Sequence, residues 1–249
     1  MSGHSKWASI KHKKAIVDSR RGKAFTKLSR TITTAAKEGG GDPDGNPALA
    51  LAVAKAKDAS MPKDNIERAI AKGTGAGADA DAIESVLYEG YGPGGVALLV
   101  EAMTENRNRT GSEIRHTFSK HGGNLGEPGS VAYLFDKTGT IVVDGERYTE
   151  DDLLPAIEAG AQDIAIDDDV FEVLTDPSAV AQVRAALESA GVEIQSAEIA
   201  QRPKTTVPLE EEGAKSVLRL IDALEDNDDV DAVHANFDVS AEVMEAIAS

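Results

Sequence analysis

Ser85-Val86-Leu87-Tyr88-Glu89-Gly90-Tyr91-Gly92-Pro93-Gly94-Gly95-Val96-Ala97-Leu98-Leu99-Val100-Glu101-Ala102-Met103 is the stretch on which the fold turns. Gly90, Gly92 and Gly95 match the G-x-G-x-x-G dinucleotide fingerprint, but that motif needs its third glycine to open a helix behind a strand. Here a second apolar run follows the glycines. The stretch therefore reads as a strand over 85–89, a glycine turn and a strand over 96–103, which is a β-hairpin. A similar match at Gly73, Gly75 and Ala78 follows a helical pattern, the wrong order, and is set aside on the same ground.

Upstream of the hairpin the period changes. Phe25, Leu28, Ile32 and Ala35 recur at spacings of three and four, and Gly39 to Gly41 stop that helix. Asn46-Pro47 supplies an N-cap and a proline at the first helical position, with Leu49, Val53 and Ala56 as the apolar stripe. Pro62 opens a further helix bearing Ile66 and Ile70. Residues 72–81, Lys-Gly-Thr-Gly-Ala-Gly-Ala-Asp-Ala-Asp, hold three alternating glycines and small residues that leave nothing to pack, and read as a flexible linker.

Downstream, 110–121 reads as a helix with a Thr-x-x-Glu capping box at Thr110 and Glu113, stopped by Gly122-Gly123. Strands follow at 131–135 and 140–143, a helix at 150–158, strands at 163–166 and 170–174, a helix at 178–190 and a strand at 193–200. The chain closes with a strand at 205–209, a helix at 213–224 and a strand at 232–239. One helix with two strands needs more sheet to cover it, and the nearest supply is the hairpin and helix at 83–123. The expectation is an α+β protein: a helical bundle at 1–78, a split α+β domain at 79–130 plus 204–249, and an acidic α+β domain at 131–203 inserted into it. No tandem repeat is evident.

Charge divides along the same lines. The 249 residues carry a formal net charge of −17, yet residues 1–37 hold ten Lys and Arg against Asp18 alone, a net of +9. Residues 136–249 hold 28 acids and 7 basic residues, a net of −21. Such asymmetry marks parts with different partners. With no cysteine in the chain, disulfides, thiolate metal sites and cysteine nucleophiles are excluded. The longest apolar runs fall far short of the roughly 20 residues of a spanning helix, and no secretory pattern follows Met1. A cytoplasmic protein that does not engage a membrane is expected.

Catalytic chemistry finds no foothold. His116 and His121 share a helix without a third ligand at usable spacing. Asp167-Asp168-Asp169 reads as a solvated turn. No Ser/His/Asp order or paired carboxylates stand out. The reading is a protein that is not an enzyme, with no catalytic residue, metal, cofactor or small-molecule substrate.

Two basic patches point elsewhere. Arg20, Lys23, Lys27 and Arg30 sit at spacings of three, four and three on the first helix, forming a positive stripe turned away from Phe25, Leu28 and Ile32. Lys6, Lys11, Lys13, Lys14 and Arg21 extend the cluster, and Trp7 among them stacks on a base or anchors the arm in the bundle. The second patch, Asn106-Arg107-Asn108-Arg109, precedes the helix start read at Thr110, with Arg115 further along. Cations there oppose the helix dipole, a penalty a bound phosphate reverses. The bland alternative is a pair of exposed loop arginines screened by Glu105 and Glu113.

The opening Ser2-Gly3-His4-Ser5-Lys6-Trp7, then Ile10-Lys11-His12-Lys13-Lys14 and Arg21-Gly22-Lys23, resembles the YebC/PmpR family. So do Gly39-Gly40-Gly41-Asp42-Pro43, Met61-Pro62-Lys63-Asp64-Asn65-Ile66, Glu89-Gly90-Tyr91-Gly92-Pro93-Gly94-Gly95, Asn106-Arg107-Asn108-Arg109-Thr110 and Gly122-Gly123-Asn124-Leu125-Gly126. The resemblance implies three domains, a helical bundle and two α+β domains, and no catalytic residues. It also implies regulation of gene expression: bacterial members are assigned as transcriptional regulators that bind DNA. Related members, mitochondrial ones included, act in translation with the ribosome. The partners expected are thus DNA or RNA, with ribosomal or transfer RNA as the alternative target. Lys and Arg neutralise phosphate in either polymer, so the residues alone do not separate the two.

Overall fold

The computed structural model describes residues 18–76, 83–167, 170–240, 242–243 and 247. It is an α+β protein. Three helices come first: α1 (Asp18–Gly39), α2 (Pro47–Asp58) and α3 (Lys63–Ala71). Asn46 caps α2 as its sequence demands, its Oδ1 accepting from Leu49 N at 3.1 Å. Its Nδ2 donates to the carbonyls of Ala35 and Gly40, 2.8 Å each, so one side chain both starts α2 and ties down the end of α1.

The glycine-rich stretch after α3 is not all linker. Lys72–Ala76 continues as a π turn, and Gly73 is buried because it has no side chain: a Cβ there would lie 2.3 Å from the carbonyl oxygen of Thr33. Its place is a close approach of two backbones, which composition alone does not reveal.

The hairpin forms as read. Strands β1 (Glu84–Tyr91) and β2 (Ala97–Thr104) pair antiparallel, from Glu84 opposite Thr104 to Tyr91 opposite Ala97. Helix α4 (Arg107–Lys120) follows, then the two-residue β3 (Asn124–Leu125). The next elements are β4 (Phe135–Asp144), α5 (Leu154–Glu158), β5 (Ala161–Asp167), β6 (Val170–Thr175), α6 (Val180–Ser189) and β7 (Ile194–Pro203). Last come β8 (Val207–Pro208), α7 (Glu211–Glu225), β9 (Val230–Ala235) and β10 (Phe237–Asp238).

One sheet has the order β3-β1-β2-β9, another β5-β6-β4-β7, and β8 pairs with β10 in parallel. The second sheet is thus built wholly from residues lying between the two parts of the first. By packing, the chain forms two compact units, Met1–Lys27 with Asp81–Asp136 and Gln201–Ser249, and Leu28–Ala80 with Lys137–Ala200. Helical residues 28–76 therefore group with the second sheet: Leu51 of α2 joins the core of Ile141, Val143, Val173, Val183 and Leu187.

In the first unit, α4 and α7 cover one face of the sheet. Phe118, Ile114, Val217, Leu220 and Ile221 meet Leu98 and Val100 there, while Ala97 and Leu99 point to the other face against Val131 and Phe135. Both faces of β2 are covered, which is why its apolar run is continuous rather than alternating. One expected strand, 131–135, is instead a 3-10 turn, Ala132–Leu134, with β4 starting at Phe135. The N–H groups of Val131 and Ala132 donate to the carboxylate of Glu89 and cannot serve a ladder.

Candidate nucleic-acid interface

Lys6, Trp7, Lys11, Lys13 and Lys14 lie outside the described residues, and of Arg20 and Arg21 only the backbone of the first turn of α1 is described. Lys23 and Lys27 have a definite and partly structural place. Lys27 Nζ donates to the carbonyl of Glu225 at 2.6 Å and Lys23 Nζ to that of Asp226 at 3.3 Å, with Asp228 Oδ1 3.6 Å away. These are the terminal carbonyls of α7, so both ammonium groups sit at the negative end of its dipole. Burial lowers the pKa of Lys27 against the opposing pull of Glu225, Asp231 and Asp228. Lys23 remains exposed and Arg30 is half-buried.

The start of α4 differs from the expected cap at Thr110. Asn106 is the N-cap, its Oδ1 accepting from Arg109 N at 3.1 Å, so Arg107 and Arg109 lie inside the first turn. Thr110 is fully buried and its hydroxyl lies 2.7 Å from Asp229 Oδ2 and 2.8 Å from Thr104 Oγ1. Glu113 accepts from Asn227 Nδ2 at 2.9 Å instead of closing a capping box. Both Asn106 and Thr110 satisfy the local capping rules, and Asp229 decides between them by claiming the threonine.

The same carboxylate separates the two arginines. Arg109 Nη2 donates to Asp229 Oδ2 at 2.6 Å, and Asp229 is buried, so Arg109 neutralises a charge inside its own unit. Arg107 is exposed. With Gly111 and Arg115 it occupies positions i, i+4 and i+8, one face of α4. That face, β1 and the loop after β3 enclose a cleft of about 410 Å³, lined among others by Tyr88, Arg107, Asn108, Ser112, Arg115 and Glu127. The hydroxyl of Tyr88 donates to the carbonyl of Arg107 at 3.3 Å. Burial pushes its pKa up, against the lowering effect of the Arg107 charge. Of the residues singled out in sequence, then, Arg107 and Arg115 are brought together and Arg109 is turned to another task. Asn108, part of the same sequence patch, lines the cleft with them, whereas Tyr88 and Ser112 were missed, although the Arg-x-x-x-Gly-x-x-x-Arg spacing marks the open face.

Glu89 builds the loop wall of the cleft. Its Oε1 accepts from Gly129 N at 2.6 Å, and its Oε2 from Val131 N at 2.7 Å and Ala132 N at 2.8 Å. Burial alone would raise the pKa of this carboxyl, but the three backbone donors outweigh it and hold it below the ordinary value. Only 5% of the residue is exposed, so the charge is spent on the loop and not offered to a ligand. Among the described residues no group of three or more His, Asp or Glu is placed to hold a metal ion, and no helix is long and apolar enough to cross a membrane.

The fold and the cleft define an α+β protein with an arginine-lined polar surface site. Residues 5–76 match the TACO1/YebC protein N-terminal domain, and residues 83–237 the TACO1/YebC second and third domain. The chain belongs to the TACO1/YebC family, as its opening motifs suggested. It is 57% identical over 249 residues, all of both chains, to a "Probable transcriptional regulatory protein" of Rubrobacter xylanophilus. A protein of the same description from Geobacter sulfurreducens is 56% identical over 247 residues, 99% of this chain and 100% of that one. Among solved structures, a conserved hypothetical protein from Aquifex aeolicus is similar with a TM-score of 0.85 at 48% identity, covering 96% of this chain and 99% of that one.

Proposed function

We propose that this chain is a non-enzymatic, cytoplasmic regulator of gene expression that acts by binding nucleic acid, with DNA-binding transcriptional control as its role. The observation that carries the reading is the pair of exposed arginines, Arg107 and Arg115, on one face of α4 beside a polar cleft, in a chain of net charge −17. A protein this acidic repels polyanions on average, so a concentrated cationic face marks the approach of phosphate. The names of the relatives agree with a regulatory role. Lys6, Lys11, Lys13, Lys14, Arg20, Arg21 and Arg30 supply further phosphate contacts from the arm. The test is crosslinking in cells, sorted into chromosomal DNA, ribosomal RNA and transfer RNA, for the natural chain and for Arg107→Gln/Arg115→Gln. Loss of crosslinks to chromosomal DNA in the variant is expected. Equal yields from both chains refute the site, and crosslinks confined to ribosomal or transfer RNA refute transcriptional control.

A further inference from the structure

Among the described residues, the hairpin leaves one edge of the first sheet open beyond β3. Gly126 N donates to Glu89 O at 2.8 Å, so the backbone of Glu89 faces β3, and Gly92 N donates to Val96 O at 2.8 Å, so the even-numbered residues of the turn end face β2. In an antiparallel ladder these directions alternate. The N–H and C=O of Leu87 therefore point to the same side as those of Glu89. β3, however, meets β1 only at Gly90 and Tyr91. Leu87 thus presents an adjacent donor and acceptor to the cleft, of which it forms part of the lining.

From this edge and the two arginines we infer that the cleft takes one unstacked nucleotide of a single-stranded nucleic acid. Its base edge pairs with the Leu87 backbone, and the flanking phosphates meet Arg107 and Arg115. The inference rests on the nucleic-acid reading above and adds which form of the polymer is bound. Bases of single strands expose Watson–Crick edges with neighbouring donor and acceptor atoms, which duplexes conceal. The cleft volume, about 410 Å³, falls within the roughly 300–1,000 Å³ of small-ligand sites. Eight residues of helix separate the arginines by about 12 Å along its axis, so they hold different phosphates and bracket the nucleotide between them. Asn108 and Ser112 lie on the same helical wall, while Glu127, on the loop wall, keeps phosphate on the arginine side. Charge decides the occupant: an extended peptide would also add to the edge, but it carries no regular anions for the two arginines.

The experiment uses the full chain with labelled single-stranded RNA and DNA twelve-mers and the matching duplexes, titrated at several salt concentrations. The natural chain should prefer single strands, and amide exchange at Leu87 should slow when they bind. Leu87→Pro removes the N–H at an edge position where proline is tolerated and should cost about tenfold in single-strand affinity with duplex binding unchanged. Arg107→Gln/Arg115→Gln should lower the single-strand salt slope by about 1.4, two contacts at roughly 0.7 each. Equal losses on duplex and single strand from the arginine pair, with Leu87 exchange unaffected, overturn this inference and leave the nucleic-acid reading standing. An unchanged slope on both polymers overturns the two together. Leu87 protected by an extended peptide and not by oligonucleotide assigns the edge to protein and refutes the proposal.

Discussion

Replacing Glu89 by Gln tests whether one buried carboxylate builds the loop wall of the cleft. Glu89 accepts three backbone N–H groups, one on Oε1 and two on Oε2. Glutamine has a single acceptor oxygen. Its best placement keeps Val131 and Ala132 on that oxygen as neutral bonds and sets its own NH2 against the N–H of Gly129. Bonds to a charged acceptor contribute roughly 1.5–3 kcal/mol and neutral ones about 0.5–1.5 kcal/mol. One charged bond is then lost and two are weakened. Gly129 is exposed and recovers water, so the net loss is about 2–4 kcal/mol.

Urea unfolding followed by far-UV circular dichroism at pH 7 should show it as a lowered midpoint for part of the transition. The sign of the pH dependence follows from the depressed pKa. The folded carboxyl titrates below its unfolded value of about 4.3, so the gap between natural chain and variant is full above that pH. It shrinks as pH falls through the folded value. Because the loop lines the cleft, the same variant should bind single-stranded oligonucleotide more weakly. A loss below about 0.5 kcal/mol at pH 7, or a gap undiminished at pH 3, would falsify the clamp.

Lys27→Met should destabilise the chain by about 1–2 kcal/mol, because the Glu225 carbonyl loses a charged donor at the end of α7; denaturant unfolding checks this, and a salt slope unchanged from the natural chain confirms a structural lysine. Arg109→Gln should lower the melting temperature while Arg107→Gln does not, since only Arg109 neutralises buried Asp229; equal melting curves would contradict the division of labour between them. Asn46→Ala removes a cap and two amide bonds, a loss of about 2–3 kcal/mol. Hydrogen exchange at Leu49 and its neighbours should accelerate in that variant, and an unaltered rate would show the cap to be dispensable.

Much of the architecture was legible because it is local. The apolar spacing of α1, the Asn46-Pro47 start of α2 and the glycine turn between β1 and β2 are each decided within a few residues, and each formed as read. The joining of residues 84–104 to 230–235 in one sheet followed from a count of what one helix and two strands leave uncovered. Local rules failed where two candidates satisfied them equally, as at Asn106 and Thr110. They failed again where a distant carboxylate claimed backbone donors, as Glu89 did at 131–132.

The site divides the same way. Its basic composition and the i, i+4, i+8 row of Arg107, Gly111 and Arg115 are properties of the chain as written. Which cations face outward was settled only by partners remote in sequence. Lys27 meets Glu225 across 198 residues and Arg109 meets Asp229 across 120, and the open edge at Leu87 exists because β3 stops at Leu125. Helix periods and turns arise from interactions between neighbours, which any window of sequence contains. The pairing of a particular charge, or the end of a particular ladder, depends on which distant segment folding brings alongside it, and no local pattern encodes that.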